Sequence, residues 1–157
     1  MNTDRWFTRV ARTGGAIHTA LYRGSGGRVG GRLLRGVPCL LLTVTGRKSG
    51  QPRTAPLIYG RDGDDYIIVA AKAGRPTSPV WWLNLRSDPQ AEVEIDRERL
   101  SVTAEEVTDA EERARLWRLM TQLYPNLDAY QRKTTRVIPV IRLRPGAGAQ
   151  GGARAAT

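Results

Sequence analysis

Residues 39–59 read CLLLTVTGRKSGQPRTAPLIY, and this stretch decides the fold of the protein. The run Cys39–Thr45 is apolar and β-branched, which predicts a β-strand buried on both faces. Residues 54–59 predict a second strand. Between the two strands, Gly46 and Gly50 allow a tight turn. Two strands joined by so short a connection predict an antiparallel pair at the start of a β-rich domain.

Alternating and turn-rich stretches continue this pattern along the chain. Further strands are predicted at residues 66–71, 91–96, 100–107 and 137–143, and helices at residues 79–87, 109–123 and 128–133. In the strand 91–96, Glu92, Glu94 and Asp96 alternate with apolar residues and predict one solvent-facing side. Pro139 should be at a bulge or an edge, since proline donates no ladder hydrogen bond. Six mainly antiparallel strands with flanking helices predict an α+β protein built on a small β-barrel.

Two local features refine this outline. Asp109 followed by Glu112 has the spacing of a capping box, which predicts a helix start, with Leu116, Met120 and Leu123 among its inward residues. Residues 61–65 read RDGDD and predict a hairpin connection, in which turn chemistry accounts for the aspartates. The wider pattern of a calcium loop is missing there, so we expect no metal site.

Charge and composition together divide the chain into three parts. The protein has 25 Lys and Arg against 15 Asp and Glu, a formal net charge of +10, and residues 1–36 hold seven arginines and one acidic residue. That basic extension predicts two short amphipathic helices, at residues 4–12 and 16–21. They would lie on an anionic membrane surface or cover the barrel or a partner chain. Residues 37–145 would form the barrel domain, and the Gly/Ala-rich tail, residues 146–157, is expected to be disordered.

The location of the protein is expected to be cytoplasmic, with peripheral contact at the inner face of the cell membrane as an alternative. Arginines interrupt any signal-peptide core near the start of the chain, and no apolar run approaches the ~20 residues of a membrane span.

Several catalytic chemistries are disfavoured by the residue counts. The chain has one histidine, His18, and one cysteine, Cys39. These numbers argue against a typical zinc site and against a Ser-His-Asp or Cys-His arrangement. Lys48 precedes the second glycine of its turn, so the P-loop pattern is not met. If the protein is an enzyme, its reactive group is expected to be a borrowed cofactor.

The sharpest chemical feature is the turn at residues 46–53. Its exposed backbone N–H groups, three cations and Ser49 hydroxyl suit a phosphate or a carboxylate, although a plain solvated hairpin turn explains them equally well. Lys72 on a second loop could reach the same anion. Adjacent tryptophans, Trp81 and Trp82, cannot both face one core. One of them could therefore line a pocket. Alternatively, it could cover the end of the barrel or lie in a dimer interface.

Three segments together resemble one known family. They are LLTVTGRKSGQPRTAPLIYGR (41–61), VAAKAGRPTSPVWWLN (69–84) and YPNLDAYQRKTTRVIPV (124–140), and they are similar to the deazaflavin-dependent nitroreductases. The resemblance spans about residues 36–145 and implies a split β-barrel like that of flavin-mononucleotide-binding oxidoreductases. It also implies reduced coenzyme F420 as cofactor, and hydride transfer to quinones, nitro compounds or activated enones.

The resemblance also implies roles for individual residues. Arg47, Lys48, Ser49 and Arg53 would hold the coenzyme's phosphate and oligoglutamate tail; Thr54, Ala55, Pro56, Leu57, Ile58, Ala70, Ala71 and Lys72 would border its ring and ribityl chain; Val80, Trp81, Trp82, Leu83 and Asn84 would complete its wall. No residue is assigned as catalytic, but Tyr124, Leu127 and Tyr130 are candidates to shape the substrate pocket or donate a proton.

The sequence departs from the family pattern at the substrate end. Ile58 and Leu127 stand where relatives place tyrosines, and Ala71 where a serine is common, which puts nitro reduction in question. A quinone is therefore the preferred acceptor, because its reduced oxygens can take protons from water. The other partner expected is a second copy of the chain, as a homodimer, or none, as a monomer.

Three alternative functions are compatible with the sequence, and one of them is a catalytically silent carrier that sequesters the coenzyme. A reductase of the same fold could use flavin mononucleotide instead. A basic barrel could bind nucleic acid, but the aromatic residues do not interleave with basic ones along a strand, so no nucleic acid is expected.

Overall fold

The computed structural model describes residues 36–146, which fold into one curled antiparallel sheet with three helices. The predicted helices at residues 4–12 and 16–21 lie outside that range, and so does the tail predicted to be disordered, residues 146–157, except for Gly146. The strands are β1 (Cys39–Thr45), β2 (Pro52–Ile58), β3 (Gly60–Asp62), β4 (Asp65–Val69), β5 (Gln90–Ile95), β6 (Glu98–Glu106) and β7 (Val140–Pro145); the helices are α1 (Val80–Ser87), α2 (Ala110–Leu123) and α3 (Asn126–Arg132). The predicted α+β class and the predicted barrel-like sheet are confirmed.

The strand order is β2-β1-β5-β6-β7-β4-β3, with β2 and β3 at the edges. Strand β1 lies inside the sheet, because Leu42 pairs with Ala55 of β2 on one side and with Val93 of β5 on the other. Its residues from Cys39 to Val44 are all buried. The predicted strand with two buried faces is therefore confirmed, and it anchors the edge strand β2.

Apolar residues form a separate core on each face of the sheet. Ile67 and Ile68 are neighbours in β4, and since successive side chains of a strand point to opposite faces, they join different cores. The first core fills the curl of the sheet and includes Trp82 and Leu85 of α1. The second lies under α2 and includes Met120. Helices α1 and α2 are thereby fixed to the sheet.

The strand predictions need two corrections. Residues 60–62, expected to lie largely in a turn, form the short strand β3, which pairs with β4. Pro139 was expected at a bulge or an edge, and this prediction is wrong because β7 begins only at Val140 and lies between β6 and β4. Pro139 precedes the strand, and its carbonyl oxygen accepts a hydrogen bond from the Ala70 N–H at 3.0 Å.

The expected solvent-facing side of strand 91–96 is only partly correct. Glu94 is buried, and its carboxylate lies 3.4 Å from the Arg99 Nε on the paired strand β6. Opposite Glu94 on β1 is Leu41, which is also buried, so this face is covered at the centre of the sheet. An ion pair compensates the burial of the Glu94 charge.

Helix α2 begins where its capping box was predicted. The Asp109 carboxylate accepts a hydrogen bond from the Glu112 N–H at 3.0 Å. Leu116 and Met120 are buried as expected, but Leu123 is exposed, because it is the last residue of the helix. Among the described residues, no helix is both long and apolar enough to cross a membrane.

Candidate functional site

The loop between β1 and β2 is tightly folded by its two glycines. The Gly46 N–H donates to the Gln51 carbonyl at 2.7 Å, and the Gly50 N–H donates to the Gly46 carbonyl at 2.8 Å. A Cβ on Gly46 would lie 2.7 Å from the Ser49 Oγ, and Gly50 has a positive φ of 65°. Both positions therefore favour glycine, and the turn brings the side chains of residues 47–53 to one end of the sheet.

Asn84 of α1 holds this loop in place. Its Oδ1 accepts hydrogen bonds from the Arg47 backbone N–H at 3.1 Å and from the Arg47 Nη1 at 3.0 Å. Asn84 is buried, so its position is set by the packing of α1 against the first core. In the same loop, the Ser49 Oγ accepts from the Gln51 N–H at 3.2 Å and from the Arg53 Nη2 at 3.4 Å.

The loop forms one wall of an open cavity of about 400 Å³, here called cavity 1. It is lined by Gly46, Arg47, Lys48, Ser49, Arg53, Thr54, Ala55, Val80, Trp81 and Asn84. Three of these side chains are cationic and none carries a carboxylate. Such a lining can hold an extended anion through charge-assisted hydrogen bonds.

The tryptophan pair divides between the core and this cavity. Trp82 is buried in the first core, whereas Trp81 is half-buried and lines cavity 1. Their ring centroids are 6.5 Å apart and the rings are inclined at 64°. Of the alternatives that the sequence left open, the structure therefore supports one core tryptophan and one pocket tryptophan.

A second cavity, of about 220 Å³, opens further along β2 and is called cavity 2. It is lined by Cys39, Pro56, Leu57, Ile58, Val69, Ala71, Ala73, Met120, Tyr124, Leu127 and Tyr130. Strand β2 joins the two cavities, since Ala55 lines the first and its neighbour Pro56 lines the second. A long ligand lying along β2 would meet both.

The side chains that line cavity 2 are apolar except for those of Cys39, Tyr124 and Tyr130. The hydroxyl oxygens of Tyr124 and Tyr130 share a hydrogen bond at 3.1 Å, and the Asn126 Nδ2 donates to the Tyr124 hydroxyl at 3.1 Å. The hydrogen bond with Tyr124, and then burial, raise the pKa of Tyr130 above its ordinary value. Tyr130 therefore stays protonated at neutral pH, and its hydroxyl is available as a hydrogen-bond donor.

The three positions that depart from the family pattern come together in this cavity. Ile58, Ala71 and Leu127 all line it. Cys39 lies there too, as a buried thiol that donates to the Val37 carbonyl at 3.6 Å. Where hydroxyl groups were expected from relatives, this cavity has aliphatic side chains.

Some residues expected at the site line neither cavity. Ala70 is fully buried in the first core, Leu83 is half-buried, and Trp82 is a core residue. Lys72, expected to reach the anion of cavity 1, instead donates from its Nζ to the Thr77 Oγ1 at 2.9 Å and to the Ser78 carbonyl at 3.4 Å.

Other lining residues were not predicted at all. Val69, Ala73 and Met120 belong to three different elements, and each looks like an ordinary strand, loop or core residue in the sequence. The only local signal was the inward spacing of Met120 on its helix, which predicts burial and not a site.

Comparison with known proteins identifies this arrangement. Residues 15–145 match the family described as F420H2-dependent quinone reductase. The chain belongs to this family. The match confirms the expected oxidoreductase class and the expected dependence on F420H2, whereas the nitroreductase label is only loosely related.

Individual relatives agree with the family assignment. The chain is 43% identical over 146 residues to the F420H2-dependent quinone reductase Rv1261c of Mycobacterium tuberculosis, covering 91% of this chain and 98% of the relative. The solved structure of the F420H2-dependent reductase FDR-A is 38% identical, with a TM-score of 0.63, over 68% of this chain and 94% of that one. A second solved structure, described as a domain-swapped dimer, is 34% identical, with a TM-score of 0.64, over 81% and 99% of the two chains.

Proposed function

We propose that this protein binds F420H2 along β2 and reduces a quinone in cavity 2. The observation that carries this proposal is the succession of a cationic cavity and an apolar, tyrosine-containing cavity along one strand. A deazaflavin coenzyme has the same division, with an anionic tail at one end and a planar ring at the other. The bound coenzyme would supply the hydride.

The lining of cavity 1 fits the anionic part of the coenzyme. Arg47, Lys48 and Arg53 would bind the phosphate and the oligoglutamate carboxylates, with the Ser49 hydroxyl as a further donor. Asn84 would act through Arg47, because it fixes both the backbone and the guanidinium of that residue. Trp81 would cover the next part of the ligand, toward Thr54 and Ala55.

The lining of cavity 2 fits an apolar acceptor better than a polar one. Ile58, Ala71 and Leu127 offer no hydrogen bonds from their side chains, so a nitro group would lose its hydration without replacement there. A quinone that gains the hydride and one proton becomes a hydroquinone, while the coenzyme is oxidised. Tyr124 and Tyr130 would supply or relay that proton, and water is the alternative source.

Nitro compounds and activated enones are the weaker acceptor candidates. Both need a proton delivered close to the carbon or nitrogen centre that is reduced, and the candidate donors in cavity 2 are Tyr124 and Tyr130, because the Cys39 thiol donates to the Val37 carbonyl. A quinone depends less on these groups because both of its oxygens can be protonated at the edge of the cavity. The preference for quinone rests on this difference.

We further propose that the enzyme works at a membrane surface and assembles as a homodimer. The seven arginines within residues 1–36 favour peripheral contact of a cytoplasmic protein with an anionic membrane surface, where a lipid-soluble quinone would be met. A homodimer is the assembly we favour, since one of the solved relatives is described as a domain-swapped dimer.

Fluorescence titration of oxidised F420, followed by oxidation assays of F420H2, tests the proposed function. We expect quenching on titration, and turnover with menadione that exceeds turnover with nitroaromatic and enone acceptors. Repeating the assay with anionic vesicles measures the effect of a membrane surface. Unquenched coenzyme at high protein concentration would refute the proposal. Copurified yellow flavin would favour the flavin-mononucleotide alternative, and steeply salt-dependent binding to single strands would favour nucleic acid.

A further inference from the structure

The wall of cavity 2 contains a short left-handed turn. Lys72 and Ala73 have positive φ values of 45° and 52°, and Gly74 follows with a φ of 74°. Left-handed backbone is unfavourable for residues with a Cβ, because the Cβ approaches the following carbonyl oxygen. Such strained segments persist only where the surrounding structure holds them, and they are frequent at functional sites.

Two backbone hydrogen bonds close the turn. The Gly74 N–H donates to the Ala71 carbonyl at 2.9 Å, and the Arg75 N–H donates to the Lys72 carbonyl at 3.1 Å. Side-chain bonds from Lys72 lead away from the turn, to Thr77 and Ser78. Two consecutive strained residues therefore need support from another part of the chain.

Arg136 provides that support from the segment between α3 and β7. Its Nη1 donates to the Ala70 carbonyl at 3.1 Å, its Nη2 to the Ala71 carbonyl at 2.8 Å, and its Nε to the Arg75 carbonyl at 2.9 Å. One guanidinium thus binds the backbone on both sides of the turn. Burial lowers the pKa of Arg136, whose partners here are carbonyl oxygens. An arginine in this position is used for its planar set of donors.

The turn that Arg136 holds faces the acceptor end of the site. Ala71 and Ala73 line cavity 2, together with Tyr130 of α3. The turn also packs tightly against α3, because a Cβ on Gly74 would lie 2.5 Å from the Tyr130 carbonyl oxygen. A shift of the turn would therefore change the distance between the Ala71–Ala73 wall and Tyr130.

We propose that Arg136 is a positioning residue for cavity 2, which clamps both ends of the left-handed turn and so sets the width of the space for the acceptor ring. The role in acceptor binding rests on the proposed function, whereas the clamp itself is a property of the chain alone. Cavity 1 lies outside its reach, since none of the three carbonyl groups that Arg136 binds belongs to a residue lining that cavity.

The test compares Arg136→Gln and Arg136→Lys with the unaltered protein. We expect hydrogen exchange at the Gly74 and Arg75 amides to accelerate by about tenfold or more in both variants, since neither side chain reproduces the three bonds. The KM for menadione should rise about tenfold, whereas the dissociation constant of the coenzyme, from fluorescence quenching, should rise much less, because its ionic contacts lie in cavity 1. Adding Ala73→Gly to Arg136→Gln should restore part of the menadione KM, because glycine tolerates the left-handed turn.

Arg113→Met is the matched control. Arg113 also donates a guanidinium N–H to a backbone carbonyl, that of Ile138, at 2.7 Å, and it lines neither cavity. This variant should lose stability without faster exchange at Gly74 and Arg75 and without a change in the KM for menadione.

Three results would overturn the inference. Unchanged exchange at Gly74 and Arg75 would show that Arg136 does not hold the turn. Equal changes in the Arg113 variant would reduce its role to general stability, and equal rises in the coenzyme dissociation constant and the menadione KM would show that its effect is not confined to cavity 2. If the unaltered protein binds no coenzyme, the proposed function fails, and the exchange data still decide whether the clamp exists.

Discussion

The two cavities at either end of β2 are built in opposite ways. Seven of the residues that line cavity 1 fall within residues 46–55, and the others belong to one turn of α1. Cavity 2 takes its lining from β1, β2, β4, the left-handed turn with the preceding Ala71, α2, α3 and Tyr124 between these helices, so that it draws on residues spread from 39 to 130. A site for an anion can thus be encoded in one loop, whereas an apolar pocket needs the whole sheet and its helices to be in place.

The chemistry of the two cavities follows from this difference. A compact loop can gather cations and backbone donors at the surface, because each keeps its contact with water until the ligand arrives. Apolar side chains gain from leaving water, so they collect where several elements already exclude it. We infer that cavity 1 determines how tightly the coenzyme binds, and that cavity 2 determines what is reduced.

Removing charge from cavity 1 should give the largest effect. Arg53→Ala and Lys48→Ala should each weaken coenzyme binding by about 1–3 kcal/mol, because each removes a charge-assisted contact. The double variant should therefore raise the dissociation constant about 30-fold or more. Fluorescence quenching of oxidised F420 measures this change. Arg86→Ala removes an exposed cation of α1 outside the cavity and should have little effect on coenzyme binding. If this variant lost as much affinity as the variants of cavity 1, only the net charge of the protein would matter.

Removing the tyrosine hydroxyls from cavity 2 should have a smaller and more selective effect. Tyr124→Phe and Tyr130→Phe should each lower kcat for nitroaromatic and enone acceptors by about tenfold, since a proton donor is lost. The kcat for menadione should fall less, because water can protonate its oxygens. Coenzyme affinity should be unchanged within error. Loss of coenzyme binding in either variant would contradict the division between the two cavities.

An ion cluster connects α2, which lines cavity 2, to the far edge of the sheet. The Arg142 Nη1 lies 2.9 Å from the Asp62 Oδ2 and 2.8 Å from the Asp65 Oδ2, and its Nη2 lies 2.6 Å from the Glu112 Oε1. The Arg115 Nη2 lies 2.9 Å from the Asp62 Oδ2. Hydrogen bonds from Arg115, and then from Arg142, lower the pKa of Asp62 from 3.8 to about 2.

Acid should therefore weaken the attachment of α2. Because the pKa of Asp62 is lowered on folding, its contribution to stability is complete above about pH 4 and is lost as the pH falls toward about 2. At neutral pH, Asp62→Asn should lower the free energy of unfolding by about 1–2 kcal/mol. The difference in the free energy of unfolding between the unaltered protein and Asp62→Asn, measured by urea unfolding, should shrink as the pH falls through this range. Asp64→Asn, at an exposed turn position, is the control, and an equal loss in that variant would rule out the ion cluster as the cause.

The same contrast explains which structural predictions succeeded. The buried strand β1 and the capping of α2 by Asp109 follow from residues next to each other in the chain, and both are confirmed. The edge position of Pro139 was wrong because the place of β7 in the sheet depends on its pairing with β4 and β6. The solvent-facing side expected for strand 91–96 failed at Glu94 for a related reason, since that residue lies between strands β1 and β6.

The aspartates of residues 62–65 show how a local explanation can be incomplete. Turn chemistry accounts for their presence in the sequence, yet Asp62 and Asp65 also bind Arg142, about eighty positions away in the chain. Arg136 gave no signal either, because its partners are backbone carbonyls that every sequence possesses. Contacts of this kind depend on distance in space alone.

The sequence by itself determined the α+β class, the buried strand β1, and the loop at residues 46–53 with its cations, since these depend on hydrophobic pattern, glycine and charge within a short stretch. Only the tertiary structure decided that Asn84 would fix Arg47, that Trp81 and not Trp82 would line cavity 1, and that Ile58, Ala71 and Leu127 would meet in cavity 2. The physical reason is that side chains far apart in the chain become neighbours only through strand order and helix packing, which arise from the burial of the whole apolar surface together.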